Sequence, residues 1–430
     1  MNLVRTSLLN GIVVAVRIGS ALVLNKIFAI LVGPGGYAVI GQFQNAVTIA
    51  SSLSSVGIAS GLTKETAGNA DNPGSQMSVW KTAYRIALIV SASIGLIICL
   101  FSAPLASWLL SSEESGYLFI MMGILLPVIT ANILLLAIIN GKKDVRLYVK
   151  ANIVGSLLVL VLAAILTWAM GLNGALIAFV VSPAGAFIAT LILLRKKQWF
   201  KVSHLIGRVD GRSRTQLLKF GFMGIAGAIC MPLTYILIRE QISETLGLES
   251  AGYWQAVWRI SEVYLMLITT TLSLYFLPRL GEIRVASELK AEIVRLYKFV
   301  VPVVLVCGLS IYVLRDLIIR ILFTEEFLPI GDLFFWQLIG DTLKISSWVL
   351  GYVLLGRVMV KAYVFAEIVF SALFLVLVMW LIRPLGLQGV AVAYTVNYFF
   401  YWIYVAIMTR LELGRMSQSD DKFTMIGEES

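Results

Sequence analysis

The chain has 430 residues, is 59% hydrophobic and only 13% charged, about half the charge of an ordinary soluble domain, and carries a formal net charge of +10. No polar stretch is long enough to build a separate soluble domain, so the core is expected to lie in a bilayer. Metal and thiol chemistry are disfavoured: Cys99, Cys230 and Cys307 all fall in apolar runs, and His204 stands alone in a basic stretch.

Apolar runs of roughly 20 residues, enough to cross a hydrocarbon core of about 30 Å, recur along the whole chain. They are predicted at 8–31, 37–62, 80–103, 117–139, 151–170, 175–194, 220–239, 254–277, 299–322, 333–355, 363–382 and 390–410. The first is too long for a removable signal peptide, carries Arg17, and has no small-residue cleavage site after it. Of the 34 Lys and Arg, one, Arg383, lies on the loops of one side and eight are candidates for burial within the runs; the other 25, including Lys81 and Arg410 at run ends, lie on the opposite side. The positive-inside rule then puts both termini in the cytoplasm. That topology accounts for most of the basic charge without a nucleic-acid partner. No GxxxxGK[ST] phosphate loop is present.

The chain repeats itself. GKKDVRLYVKANIV from Gly141 matches GRVMVKAYVFAEIV from Gly356 at seven of fourteen positions, 215 residues apart. GLNGALIAFVV from Gly171 meets GLQGVAVAYTV from Gly386 at the same offset, and SWLLSSEE (107–114) resembles IRILFTEE (319–326). Two homologous halves of six spans each begin on the same side, so they are parallel repeats. The predicted fold is an all-α integral membrane protein with twelve transmembrane helices in two parallel six-helix repeats around a central cavity. Residues 1–194 form the first lobe, 195–219 a basic cytoplasmic linker, 220–410 the second lobe and 411–430 a cytoplasmic tail.

Charges inside the spans mark candidate cavity residues, because each costs on the order of 3 kcal/mol at mid-bilayer. Arg17 is deep in the first span and Lys26 less so. Arg259 with Glu262, and Asp341 with Lys344, make i,i+3 pairs in the eighth and tenth. Arg85, Arg239, Arg315 and Arg320 lie nearer span edges and can snorkel outward. In the second span Gly41, Asn45, Thr48, Ser52 and Ser55 follow helical spacing, serving either close packing or a wet cavity. A basic interior suits an anionic ligand such as a diphosphate. The embedded acids are either ion-pair partners or carriers of a coupling proton or Na⁺. Lys142, Arg146, Arg357 and Lys361, on the repeated cytoplasmic turn, are headgroup anchors or gate elements. Pro232, behind Gly221, Gly224 and Gly227, is a candidate hinge.

Residues 28–68, with Gly33-Pro34, Gly36-Tyr37, Gln42-Phe43, Gly57-Ile58, Gly61 and Thr63-Lys64, resemble the start of Wzx-type flippases for O-antigen and enterobacterial common antigen. These form the polysaccharide branch of the multidrug/oligosaccharidyl-lipid/polysaccharide exporter superfamily. The resemblance implies a bacterial inner-membrane protein, not an enzyme. It would move an undecaprenyl-diphosphate-linked oligosaccharide from the cytoplasmic to the periplasmic leaflet by alternating access, without a bound cofactor. Its expected partners are that lipid-linked oligosaccharide, membrane lipids, and the polysaccharide polymerase and chain-length machinery. The rival readings are a multidrug cation exporter of the same fold, which would favour an acidic cavity, and a polysaccharide polymerase, which would need a sizeable extramembrane loop.

Overall fold

The computed structural model describes residues 3–55, 57–207, 210–283, 285–357 and 359–428. Among them every regular element is a helix. In the first half, α1 (Leu3–Ser55) bends at Gly33. The φ of 64° there is open to glycine, and Pro34 restarts the helix where no N–H is needed. Gly57, also at positive φ, separates α1 from α2 (Ile58–Gly68). Next, α3 (Pro73–Leu100) is capped by the Asn72 side chain, which accepts from Ser75 N at 3.1 Å. A break at Phe101 leads to α4 (Ser102–Leu110), a 3₁₀ turn at Glu113–Ser115, and α5 (Gly116–Gly141). The Asp144 side chain caps α6 (Val145–Arg195), which folds back at Gly171.

The second half runs α7 (Gly211–Leu246), α8 (Leu248–Glu282), α9 (Ala286–Val313), α10 (Arg315–Leu322), a 3₁₀ stretch Glu325–Leu333, α11 (Phe334–Gly356), α12 (Val360–Leu385) and α13 (Gln388–Glu428). Eight helices among the described residues are long and apolar enough to cross a membrane. Two of them, within α1 and α6, contain 45 and 51 residues, roughly 68 and 77 Å at 1.5 Å per residue, enough for two crossings each. With α7 and α8 at the seventh and eighth predicted spans, the helices number twelve crossings. Trp168 and Trp380 are strongly exposed beside the two hairpin glycines Gly171 and Gly386, as suits interfacial anchors.

The repeat read from the sequence is present in the backbone. Gly171 (φ 58°, ψ −134°) and Gly386 (φ 57°, ψ −142°) take the same conformation 215 residues apart. Three residues later the hairpin closes on another glycine. A Cβ at Gly174 would lie 1.8 Å from the Leu166 carbonyl oxygen, and one at Gly389 would lie 2.2 Å from that of Leu381. Leu166 and Leu381 are again 215 apart, so GLNG and GLQG specify one tight hairpin twice. The short-helix breaks correspond too: Phe101 (φ −100°, ψ 21°) and Leu314 (φ −95°, ψ 9°). At the repeated basic turns, Lys142 N donates to Ile138 O and Arg357 N to Val353 O, both at 2.9 Å.

The chain forms two compact units, Met1–Ile236 and Leu237–Ser430. In the first, parts of the 195–219 segment pack against the helices. Phe200, Leu205 and Leu217 are buried in one apolar cluster with Trp80, Leu135, Ile139 and Leu194, and Arg85 reaches Gly207 O. Arg195, Lys196 and Lys201 of this segment are exposed, while Phe200, Leu205 and Leu217 anchor it.

Candidate functional site

The deepest charges of the second unit gather on three helices. On α11, Gln337, Asp341, Lys344 and Trp348 follow i, i+4, i+7, i+11 spacing and share one face. Facing them are Trp258, Ser261 and Tyr264 of α8, with Tyr394 and Tyr398 of α13. Gly340 makes this possible: a Cβ there would sit 2.3 Å from the Tyr394 ring, so only glycine lets that ring close on α11.

Asp341 is fully buried. Its Oδ2 accepts from Ser261 Oγ at 2.6 Å and Tyr264 OH at 2.7 Å. Its Oδ1 accepts from Tyr394 OH at 2.8 Å and, more weakly, Gln337 Nε2 at 3.4 Å. Four donors therefore stand where water would otherwise solvate the carboxyl group.

Lys344, 5% exposed, is treated differently. Its Nζ lies 4.3 Å from the Trp258 ring centroid, 5.2 Å from Trp348, 5.4 Å from Tyr398 and 5.7 Å from Tyr394. The i,i+3 spacing with Asp341 puts both on one face as expected, but ring faces, not the carboxylate, surround the ammonium.

The other sequence candidates are more scattered. Arg259 and Glu262 do form their expected ion pair, Nη1 to Oε2 at 2.9 Å, with the glutamate half exposed. Arg239, which could snorkel by its position, is only 3% exposed; it donates to Gln255 Oε1 at 2.7 Å and lies over the Trp254 ring at 5.5 Å. In the first unit, Arg17 is exposed and Lys26, Asn45 and Ser52 are half-buried. Thr48 is exposed and its hydroxyl donates to its own helix at Gln44 O, as Ser55 does at Ser52 O. Gln42 of the same helix instead bridges to α7, Nε2 donating to Ile236 O at 3.2 Å.

The repeated basic turn divides by residue. Lys142 turns inward: Nζ donates to Gln76 Oε1 at 2.9 Å and lies over Trp80 and Trp199. Arg357 also turns inward, donating to Ile283 O at 2.8 Å. Arg146 and Lys361 are exposed. Asp144 pairs with Lys197 Nζ at 2.5 Å. Burial works to raise the Asp144 pKa, but the Lys197 bond, the Leu147 N–H and the charges of Lys197 and Arg146 outweigh it and hold it below the usual carboxylate range. At Pro232 the helix α7 continues on both sides.

The aromatic wall escapes a sequence reading focused on charge. Tyr394, Tyr398 and Tyr401 recur at i, i+4, i+7, and Trp258, Ser261 and Tyr264 at i, i+3, i+6, a signal indistinguishable from ordinary helix packing.

Comparison with known proteins agrees with this architecture. Residues 3–284 match the family described as polysaccharide biosynthesis protein. The chain is 32% identical over 403 residues to the Lipid III flippase of Escherichia coli (strain K12), covering 94% of this chain and 97% of that one, and equally to the Lipid III flippase of Shigella flexneri. Among solved structures it resembles an inward-facing multidrug resistance MATE family transporter of the MOP superfamily (TM-score 0.78, 17% identity, covering 94% and 99% of the two chains). An outward-facing MATE family transporter matches with TM-score 0.70, at 15% identity over 96% and 97%. With helices for twelve crossings in two repeats, this multi-pass membrane protein belongs to the polysaccharide biosynthesis protein family.

Proposed function

We propose that the chain is a flippase that carries a polyprenyl-diphosphate-linked oligosaccharide from the cytoplasmic to the periplasmic leaflet of the bacterial inner membrane. The observation that carries this is the match, over nearly the whole of both chains, to proteins named as Lipid III flippases. The relatives carry a transporter's name, and the step needs no bond chemistry. The two repeats would alternate access, basic residues such as Arg17 and Arg259 would hold the diphosphate, and Asn45, Thr48 and Ser52 would meet the sugars. The polyprenyl tail stays in lipid. Both termini lie in the cytoplasm on the positive-inside rule. The buried Asp341 cluster is the candidate for coupling to H⁺ or Na⁺, and the polymerase and chain-length machinery are candidate partners.

A second reading, an exporter of organic cations, is favoured by the fold likeness to multidrug transporters and disfavoured by the basic balance of the interior. Purified protein in liposomes discriminates them. Translocation of a fluorescent polyprenyl-diphosphate sugar, impaired by Arg17→Ala or Arg259→Ala in folded protein, supports the flippase. Unimpaired transport in both variants removes these two arginines from the path.

A further inference from the structure

We propose that Trp258, Trp348, Tyr394 and Tyr398 form a binding box for an organic ammonium ion, and that Lys344 is its tethered occupant. Four ring centroids within 4.3–5.7 Å of one nitrogen is the arrangement by which aromatic cages recognise alkylammonium ligands. The rings brace one another, with Tyr394 and Tyr398 4.8 Å apart and Trp258 and Tyr394 5.9 Å apart edge to face. Three of them are buried and Trp348 is half-buried.

The alternative role for Lys344 is to neutralise Asp341. The donors argue against it. Both Asp341 oxygens already accept hydrogen bonds, from Ser261, Tyr264, Tyr394 and Gln337. Among the described residues no hydrogen bond or close ion pair joins Nζ to any acceptor. An ammonium this buried is costly unless something replaces its water, and here the π faces do so. Tyr394 couples the two groups, since its hydroxyl binds Asp341 while its ring faces Lys344.

The consequence concerns selectivity. The box is occupied from within, so an organic cation is barred from it. The box itself is independent of any transport reading. Its role in rejecting cations rests on the flippase reading.

Truncating Lys344 to alanine removes the atoms of n-propylammonium, which is therefore the probe. Full-length Lys344→Ala in lipid nanodiscs, titrated calorimetrically, should bind n-propylammonium about 30-fold more tightly than wild type does. The neutral analogue n-propanol should show no such gain. Lys344→Met, which refills the space without charge, should fold and bind neither. If Lys344→Ala folds only with n-propylammonium present, that rescue also supports the box. Folded Lys344→Ala that ignores n-propylammonium or takes n-propanol equally well overturns it, as does failure of rescue while Lys344→Met folds. None of these readouts uses transport, so their failure leaves the flippase reading standing.

Discussion

Replacing Asp341 tests whether the buried carboxylate ties α8, α11 and α13 together. Three hydroxyls at 2.6, 2.7 and 2.8 Å share it. A hydrogen bond to a charged group contributes about 1.5–3 kcal/mol. Three independent bonds would give roughly 5–9 kcal/mol, but they converge on one group and are not additive. Asp341→Ala also relieves the burial of a charge, so a net loss of about 3–5 kcal/mol is expected. Asp341→Asn keeps one acceptor oxygen, and Ser261 and Tyr264 can rotate to accept from its amide, so its loss should be roughly 1–3 kcal/mol. Equilibrium unfolding in mixed micelles, followed by tryptophan fluorescence, orders the three proteins. In the Asp341→Ala background, Ser261→Ala should cost less than it does alone. An alanine variant within about 1 kcal/mol of wild type, or one more stable than the asparagine variant, would refute the carboxylate as the knot of this cluster.

Other perturbations follow from the same geometry. Gly174→Ala and Gly389→Ala each drive a Cβ into a carbonyl oxygen at 1.8 and 2.2 Å, so each should lower thermal stability by at least the 1–3 kcal/mol typical of overpacking, and similarly to one another if the hairpins are true repeats. Gly340→Ala should displace the Tyr394 ring, reducing both stability and the n-propylammonium binding expected of Lys344→Ala. The depressed Asp144 pKa means that the Asp144–Lys197 contribution is present above the unfolded carboxylate value, about 4, and is lost as pH falls through the lower folded value. For so open a pair the effect is small, about 0–1 kcal/mol, and the stability difference between wild type and Lys197→Ala should vanish at low pH. Arg17→Ala should slow translocation with little change in unfolding, since Arg17 is exposed.

The repeat was the most legible feature because it rests on backbone constraints that glycine alone meets. Gly171 and Gly386 recur since both hairpins need positive φ, and Gly174 and Gly389 since both need a missing Cβ. The breaks at Phe101 and Leu314 were not legible: each falls inside a predicted span, and neither residue is a helix breaker. At the site, depth and i,i+3 spacing singled out Asp341 and Lys344. Their environment comes from α8 and α13, about 80 and 50 residues away in sequence, and one-dimensional spacing along α11 cannot report it. Spacing along one helix therefore suggested an ion pair where the tertiary structure supplies hydroxyls for one partner and rings for the other. Arg239 was misplaced for a related reason: its distance from a span edge says nothing of Gln255 and Trp254, which fold over it.

The flippase reading meets its most direct test in leaflet-selective quenching of a fluorescent undecaprenyl-diphosphate oligosaccharide in liposomes holding the purified full chain. The account predicts that labelled lipid hidden in the inner leaflet becomes quenchable from outside in protein-containing vesicles and not in empty ones, while organic cations are not moved. Folded protein that leaves the lipid in place, or that transports organic cations instead, contradicts it.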